Sequence, residues 1–422
     1  MDILPFSMPV IEPPVFSAAV FDIRKFGAQC GTNTLNTKAF QLAIAECSRN
    51  GGGTVLAPPG VWLTGAIHLR GNVRLHLEEG SIIRFSDRAH DYLPVVFTRW
   101  EGVECYNYSP LVYAHECNNI AITGRGVLEG QGDSWWGWKK LQQAAVTKLY
   151  NAEHDKIPVK DRVFGREQDA LRPQFFQPIN CKNVLVEGVT FKFGPFWTIH
   201  PVYCENVMVR NVSVITSGEG KRGVNADGLN PDSCRNVLIE GCCFNTGDDC
   251  VAINAGMNED GWRVGKPCEN VLIRHCRMGE GHGAVVIGSG MSGGARNICA
   301  YDCQCSGTDR GIRLKSMRGR GGIVENVWFD NFDMQDMRYE AIVIDMFYGA
   351  SSSLPLSDAL PSFRNINISN VRCGRAKKAV LLRGLPEKPL QQIALEDVHI
   401  CAEEGMSVQD VENLTVKNAS IA

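Results

Sequence analysis

Short runs of alternating apolar and polar residues recur along most of this chain, and many of them open at an asparagine. In phrases such as NVLVEGVTF and NVLIRHCRM the apolar residues alternate, which is the period of a β-strand with one buried face. The asparagines that open such phrases are Asn119, Asn183, Asn206, Asn236, Asn270, Asn297, Asn326 and Asn365, with a weaker echo at Asn413. From Asn183 to Asn326 the intervals are 23, 30, 34, 27 and 29 residues, and periods of about 20 to 50 residues mark solenoids.

This repeat predicts an all-β solenoid in which each coil stacks on the last. Helical stretches between the phrases are too scarce for a leucine-rich horseshoe, so we expect a right-handed parallel β-helix. The asparagines either form an amide ladder at a turn or simply supply turn conformations. We expect a single domain over residues 1–422.

Two segments depart from the repeat. Residues 37–49, TKAFQLAIAECSR, predict an amphipathic helix, so residues 1–50 form an N-terminal segment with a cap over the first coil. Residues 133–176 form a long insertion between Asn119 and Asn183, and such excursions are often functional. The insertion either packs against a binding cleft and closes one end of it, or it lies on the barrel. In either case its aromatic residues would make the contacts, and they are Trp135, Trp136, Trp138, Phe175 and Phe176.

Composition narrows the class of protein. The formal net charge of -3 does not suggest a basic surface for nucleic acid. The chain contains no run of 18 apolar residues, so we predict no membrane span. The start of the chain lacks the pattern of a secretory signal. The 17 cysteines are odd in number and mostly adjoin apolar runs, so we expect reduced core thiols and a cytoplasmic location.

A second series of strands carries polar residues on its outer face. The strands are DDCVAIN (248–254), GAVVIGS (283–289), GIRLKS (311–316) and EAIVIDM (340–346). Their alternation points these residues inward: Val251, Ile253, Val285, Ile287, Ile312, Leu314, Ile342 and Ile344. The outward set then includes Asn254, Gly288, Arg313, Lys315 and Asp345.

The spacing of the ionisable residues places them together on that face. Asp248 and His282 each lie 12 residues after the asparagine of their coil, and coils stack about 4.8 Å apart. Asp227 precedes Asp248 by 21 residues, close to one short coil. Each feature alone is typical of a turn or a solvated strand, but their common phase predicts a site. The predicted cluster holds Asp227, Asp248, Asp249, His282, Arg313 and Lys315.

Glycines 281 and 283 flank the imidazole and leave room for a ligand against the backbone. The ordered motifs NADGLNPDS, GDDCVAI, GHGAVVIGS and RLK resemble the polygalacturonase family of glycoside hydrolases, in particular its extended bacterial-type members. The family signature runs N-T-D, D-D, G-H-G and R-I-K. Ala226 stands at the usual Thr and Leu314 at the usual Ile, and neither change removes an ionisable group.

The resemblance implies an inverting hydrolase of α-1,4-linked galacturonic acid that requires no metal or cofactor. It implies Asp248 as general acid, tuned by His282, with Asp227 and Asp249 holding and deprotonating the attacking water. Crowding lets one carboxyl stay protonated, and inversion leads us to expect carboxyl groups about 6.5–9.5 Å apart. The predicted substrate-binding residues are Asn225 and the pair Arg313 and Lys315, which suit sugar carboxylates. Tyr348, about one coil beyond Lys315, either packs on a sugar ring or is a core or rim tyrosine.

Several alternatives stay open from the sequence. A pectate lyase would hold Ca²⁺ between acidic ligands and use a basic residue as proton acceptor. Rhamnogalacturonan hydrolases, or hydrolases of another pectin backbone, typically lack the complete G-H-G and R-x-K elements present here. A binding β-helix of the tail-spike kind would have no turnover. The insertion and the expected cytoplasmic address lead us to predict an exo-acting enzyme on galacturonate oligomers; its oligomeric state is unknown.

Overall fold

A computed structural model describes residues 4–349 and 359–421. The chain forms a parallel β-helix of three sheets, as predicted, and successive coils pair in parallel. The first sheet contains Val20–Asp22, Gly53–Ala57, Val73–Leu77, Asn118–Gly124, Lys182–Glu187, Glu205–Arg210, Arg235–Glu240, Cys268–Arg274, Ala295–Ser306, Ile323–Gln335, Ser362–Arg383, Leu390–Gln409 and Val411–Lys417.

The long strands of the last coils bend from the first sheet into the other two. The second sheet also contains Gly60–Thr64, Ser81–Phe85, Val127–Glu129, Thr190–Lys192, Ser213–Ile215, Cys243–Asn245, Arg277–Met278 and Ser420–Ile421. The third sheet contains Ile67–His68, Val112–His115, Phe176–Ile179, Val251–Ile253, Val285–Ile287, Ile312–Lys315 and Met337–Asp345.

The third sheet follows the predicted alternation. Val251, Val285, Ile312 and Ile342 are aligned across four coils, and all four are fully buried in the core. Stacked identical or similar side chains fill the interior of each coil, so burial of this column fixes the register of the outer face.

The recurring asparagines form an amide ladder and also supply turn conformations. Each Nδ2 donates to the Oδ1 of the asparagine one coil earlier, as in Asn236 to Asn206 at 3.1 Å and Asn270 to Asn236 at 3.0 Å. The ladder runs through Asn72, Asn119, Asn183, Asn206, Asn236, Asn270, Asn297, Asn326 and Asn365. All of these residues have left-handed backbone angles, with φ between 52° and 61°, so both interpretations of the repeat are confirmed.

The predicted capping helix is present as α1, Thr37–Arg49, which buries Phe40, Ile44 and Cys47 over the first coil. Residues 4–19 do not cap the coil. Ile11 and Phe16 contact outward side chains of the first sheet, and Phe6 packs on Trp328. This segment therefore covers an apolar column on the outside of the barrel.

The insertion folds on the barrel together with an antiparallel hairpin, Val96–Trp100 and Val103–Asn107. Its helices are α2, Asp133–Trp136, and α3, Gln143–His154, and a further helix α4 spans Asn258–Val264. Short 3-10 helices span Ile23–Phe26, Ala89–Tyr92, Gly137–Lys140, Val159–Asp161 and Glu167–Asp169, and a two-stranded ribbon pairs Ser217–Gly218 with Lys221–Arg222.

The 17 cysteines form no disulfides with one another, and most are buried as expected. Among residues 4–349 and 359–421, the helices are too short or too polar to span a bilayer.

Candidate active site

Three aspartates meet on the outer side of the third sheet, where the strand Val251–Ile253 begins. Backbone pairing aligns Leu229 with Val251 and Val251 with Val285. That register brings Asp227 beside Asp249 and Asp248 beside His282 on adjacent coils. One carboxylate oxygen from each of Asp227, Asp248 and Asp249 lies within 4.8 Å of the others.

Asp248 is the member of the trio that faces the cleft, with 17% of its side chain exposed. His282 Nδ1 lies 3.1 Å from Asp248 Oδ1, and the same oxygen accepts from the backbone N–H of Asp249 at 2.9 Å. Burial opposes ionisation of Asp248, but the hydrogen bond and charge of His282, with the charge of Lys315, lower its pKa overall. The same hydrogen bond raises the pKa of His282. A shared proton therefore lies on the histidine side of this pair in the free protein.

Asp227 and Asp249 lie beneath Asp248, at 4% and 2% exposure. Asp227 Oδ2 accepts a hydrogen bond from Asn230 at 2.8 Å. Burial, followed by the charges of Asp248 and Asp249, raises the pKa of Asp227 well above its usual range. Crowding thus raises the pKa of Asp227 and not that of Asp248, since Asp248 has the imidazole as a partner.

The expected separation of about 6.5–9.5 Å between carboxyl groups is wrong for this cluster, whose oxygens approach within 4.8 Å. The reason is geometric. Asp248 and Asp249 are consecutive residues, and Asp227 lies one coil away from Asp249, at the spacing of adjacent parallel strands. The short distance between the carboxylates therefore follows from the coil spacing that the sequence already predicted.

Arg313 and Lys315 lie at the same site but are not free cations. Lys315 Nζ lies 2.8 Å from Asp249 Oδ2, and Arg313 Nη1 lies 3.3 Å from Asp249 Oδ1. The ring of Tyr348 lies 5.0 Å from Lys315 Nζ and 5.6 Å from Arg313 Cζ. The structure thus brings all the predicted site residues together, with Asn225 Nδ2 3.4 Å from Asp248 Oδ2.

The aspartate trio has the composition of a cation site, but its oxygens are already engaged. Both oxygens of Asp249 face Lys315 and Arg313, Asp227 accepts from Asn230, and Asp248 faces His282. Calcium requires about six to eight oxygen ligands, and two side-chain cations occupy the space beside Asp249. This donor set does not fit the calcium site of a lyase.

Sequence reasoning missed Arg172, which lies near the end of the insertion and beneath the site. Its guanidinium is fully buried and donates to Asn225 Oδ1 at 2.9 Å and to the carbonyl oxygen of Val224. Because Oδ1 of Asn225 accepts from Arg172, its amide N–H faces Asp248. No local sequence signal distinguishes this arginine, since its partner lies 53 residues away.

The cleft above the aspartates has a volume of about 280 Å³. Beside the predicted residues, its lining includes Glu101, Lys139, Tyr150, Trp197 and Arg320. Lys139 and Tyr150 belong to the insertion, and Tyr150 donates to Glu101 of the hairpin turn at 2.7 Å. The insertion therefore forms one wall of the cleft.

The aromatic residues proposed to close the cleft have a different position. Trp135, Phe175 and Phe176 are buried in the barrel core, Trp138 packs against it, and Trp136 donates to the carbonyl oxygen of Gly194 at 3.0 Å. They anchor the insertion, as the second interpretation had it. Lys139 and Tyr150 reach the cleft instead, and Trp197, stacked on Phe196, presents an indole there.

Comparison with known proteins agrees with this geometry. Residues 162–420 match the family model of Glycosyl hydrolases family 28. The crystal structure of a hyperthermoactive exopolygalacturonase from Thermotoga maritima superposes with a TM-score of 0.89 at 38% identity, over 98% of this chain and 94% of that one. The protein accordingly belongs to family 28 of the glycosyl hydrolases.

Two curated relatives extend the comparison. A probable polygalacturonase from Vitis vinifera is 29% identical over 91% of this chain and 74% of its own length. An exo-poly-alpha-D-galacturonosidase from Dickeya chrysanthemi is 27% identical, and the match covers 78% of this chain and 57% of that protein. The family membership confirms the predicted class of enzyme, a glycoside hydrolase.

Proposed function

We propose that this family 28 enzyme is an exo-acting polygalacturonase that removes units from the ends of α-1,4-linked galacturonate chains. The observation that carries the proposal is the cleft, in which an aspartate trio and two cations lie beside a wall built by the insertion. At about 280 Å³ it is at or below the lower end of the range of about 300–1,000 Å³ typical of small-ligand sites. Such a cleft suits a chain end better than the middle of a polymer.

Asp248 acts as the general acid in this proposal because it is the trio member exposed to the cleft. The proton it delivers comes from the His282 side of their 3.1 Å hydrogen bond. When substrate excludes water from the cleft, the ion pair loses solvation, and the neutral pair of imidazole and carboxylic acid becomes relatively more favourable. Asp248 then protonates the glycosidic oxygen as the bond to the anomeric carbon breaks.

Asp227 and Asp249 hold the attacking water, and Asp249 accepts its proton, because the raised pKa of Asp227 favours its protonated form. Both lie beneath the exposed surface, where a water molecule reaches them more readily than a sugar ring does. Direct attack of either carboxylate on the anomeric carbon is therefore disfavoured, in spite of the short separation. Arg313 and Lys315 bind a sugar carboxylate and orient Asp249, and Tyr348 packs on a sugar ring.

Chromatography of the first products from polygalacturonate tests the proposal. We expect galacturonate monomer at low conversion if Lys139 and Tyr150, which line the cleft from the insertion, close one end of it to a longer chain. A ladder of mixed oligomers would mean that the cleft is open at both ends. Unsaturated products that absorb in the ultraviolet and disappear with EDTA would identify a lyase, and no release of reducing ends would identify a binding protein.

The stereochemistry of the first product tests the role of the buried aspartates. We expect inversion, so proton NMR of a fresh digest shows the β-anomer before mutarotation. A retained α-anomer would show that one carboxylate reaches the sugar directly, as the approach of the carboxylate oxygens to within 4.8 Å by itself suggests.

A further inference from the structure

Arg320 lies in the loop after strand Ile312–Lys315 and lines the cleft beside Tyr150 and Tyr348. Only 6% of the residue is exposed. Its Nη1 donates to Asn258 Oδ1 at 2.6 Å, and its carbonyl oxygen accepts from Trp262 at 2.9 Å. The side chain is thus held by helix α4 with part of its guanidinium toward the cleft.

This buried cation lacks an anionic partner within the described part of the chain. No carboxylate there lies within the 4.0 Å of an ion pair, and Nε has no hydrogen-bond acceptor. By contrast, Arg313 and Lys315 both face Asp249. A buried charge is costly unless it is paired, so an unpaired guanidinium in a cleft indicates a place for an anion.

The neighbouring carboxyls, Glu153 and Glu101, do not form an ion pair with Arg320, although their charges act on it from a distance. Glu153 accepts from the other side of Asn258 at 3.2 Å, and burial raises the pKa of Glu153 to about 8, so it is mostly protonated at neutral pH. Glu101 is hydrogen-bonded to Tyr150. Burial correspondingly lowers the pKa of Arg320, but an arginine this basic stays charged.

A second cation lines the same cleft from the insertion. Lys139 is exposed, lines the cleft, and makes no ion pair with the described residues. Lys139 and Arg320 come from segments about 180 residues apart, so their convergence is a product of the fold. Neither of them is paired with Asp249, unlike Arg313 and Lys315.

We propose that Arg320, assisted by Lys139, binds a second substrate carboxylate, that of the uronate unit at the closed end of the cleft. The inference rests on the proposed function and deepens it. Two carboxylate positions, one at Arg320 and one at Arg313 and Lys315, make the enzyme select chain ends in which both adjoining units are free acids. A methyl ester at the closed-end unit removes the charge and weakens binding.

Binding of digalacturonate to a catalytically silenced Asp248→Asn protein, measured by calorimetry, tests this. Adding Arg320→Met, which keeps length without charge, should weaken binding at least tenfold, and Arg320→Lys should recover part of the loss. Lys139→Met at its exposed position should weaken binding about two- to fivefold without lowering the melting temperature. Arg318→Met is the matched control, because Arg318 is exposed on the same loop and pairs with Glu387 at 2.8 Å.

The two monomethyl esters of digalacturonate show which of the two substrate carboxylates Arg320 binds. The Asp248→Asn protein should discriminate against both esters, and Arg320→Met should abolish discrimination against one of them only. Equal binding with and without Arg320→Met, in folded proteins, overturns this inference and leaves the hydrolase proposal standing. Failure of digalacturonate to bind the Asp248→Asn protein at all, together with no hydrolysis by the parent enzyme, overturns both.

Discussion

Replacement of Asp248 by asparagine is expected to lower kcat on galacturonate oligomers by at least ~10²–10⁴-fold, the usual contribution of a general acid. The amide is nearly isosteric and keeps its place beside His282 and the backbone of Asp249, but it cannot donate the proton. Initial rates of reducing-end release measure the loss. The melting temperature should stay close to that of the parent, because the carboxylate has no buried cation as its main partner.

Asp333→Asn is the control for this substitution. Asp333 is exposed on the second sheet, away from the aspartate trio, so its rate should match that of the parent. Activity of the Asp248 variant within tenfold of the parent, with a normal melting curve, would remove Asp248 from the role of acid.

Replacement of Lys315 by methionine should reduce kcat/KM at least ~30-fold and also lower the melting temperature. The ammonium is nearly buried and lies 2.8 Å from Asp249 Oδ2. Truncating one member of a buried charge pair costs ~2–5 kcal/mol, and each 1.4 kcal/mol is about tenfold in rate or affinity. We expect both kcat and KM to change, since Lys315 holds the carboxylate of Asp249, which activates water, and also faces the substrate.

Lys378→Met serves as the comparison in the same sheet. Lys378 pairs with Glu404 at 2.8 Å, but Glu404 is half exposed, and surface pairs contribute only about 0–1 kcal/mol. Its kinetics should be unchanged and its melting temperature nearly so. If the Lys315 variant shows the same kinetics as the Lys378 variant, neither the water-activating nor the substrate-binding role of Lys315 holds.

The sequence predicted those parts of the structure that repeat. Alternation gave the inward column that includes Val251 and Val285, and the ladder asparagines gave the phase in which Asp248 meets His282. Both depend on nearest-neighbour stacking, so they can be counted along the chain. Even the tight carboxylate spacing followed from the same register, although a general rule for inverting enzymes led us to a larger distance.

The walls of the cleft could not be predicted in this way. Arg172, Tyr150 and Arg320 reach the site from an insertion and a loop, whose paths are set by long-range packing and not by a period. Trp197 lies within FGPFWTIHP, where nothing separates a cleft residue from a core aromatic. The lowered pKa of Asp248 likewise depends on the rotamer of His282. The cytoplasmic location stays a prediction.

The amide ladder has a consequence for how enzymes on this scaffold change. Asp248, His282 and Asp309 each follow a ladder asparagine by 12 residues, whereas the interval between successive ladder residues varies from 23 to 34 between Asn183 and Asn326. In the coils of these three residues the variation therefore falls after them, in segments that include the loop that carries Arg320, whereas Asp227 follows Asn206 by 21 residues and its coil also varies before it. Selection can lengthen or shorten the segments that recognise substrate while the distances that govern bond cleavage stay constant, so new specificities arise without rebuilding the chemistry.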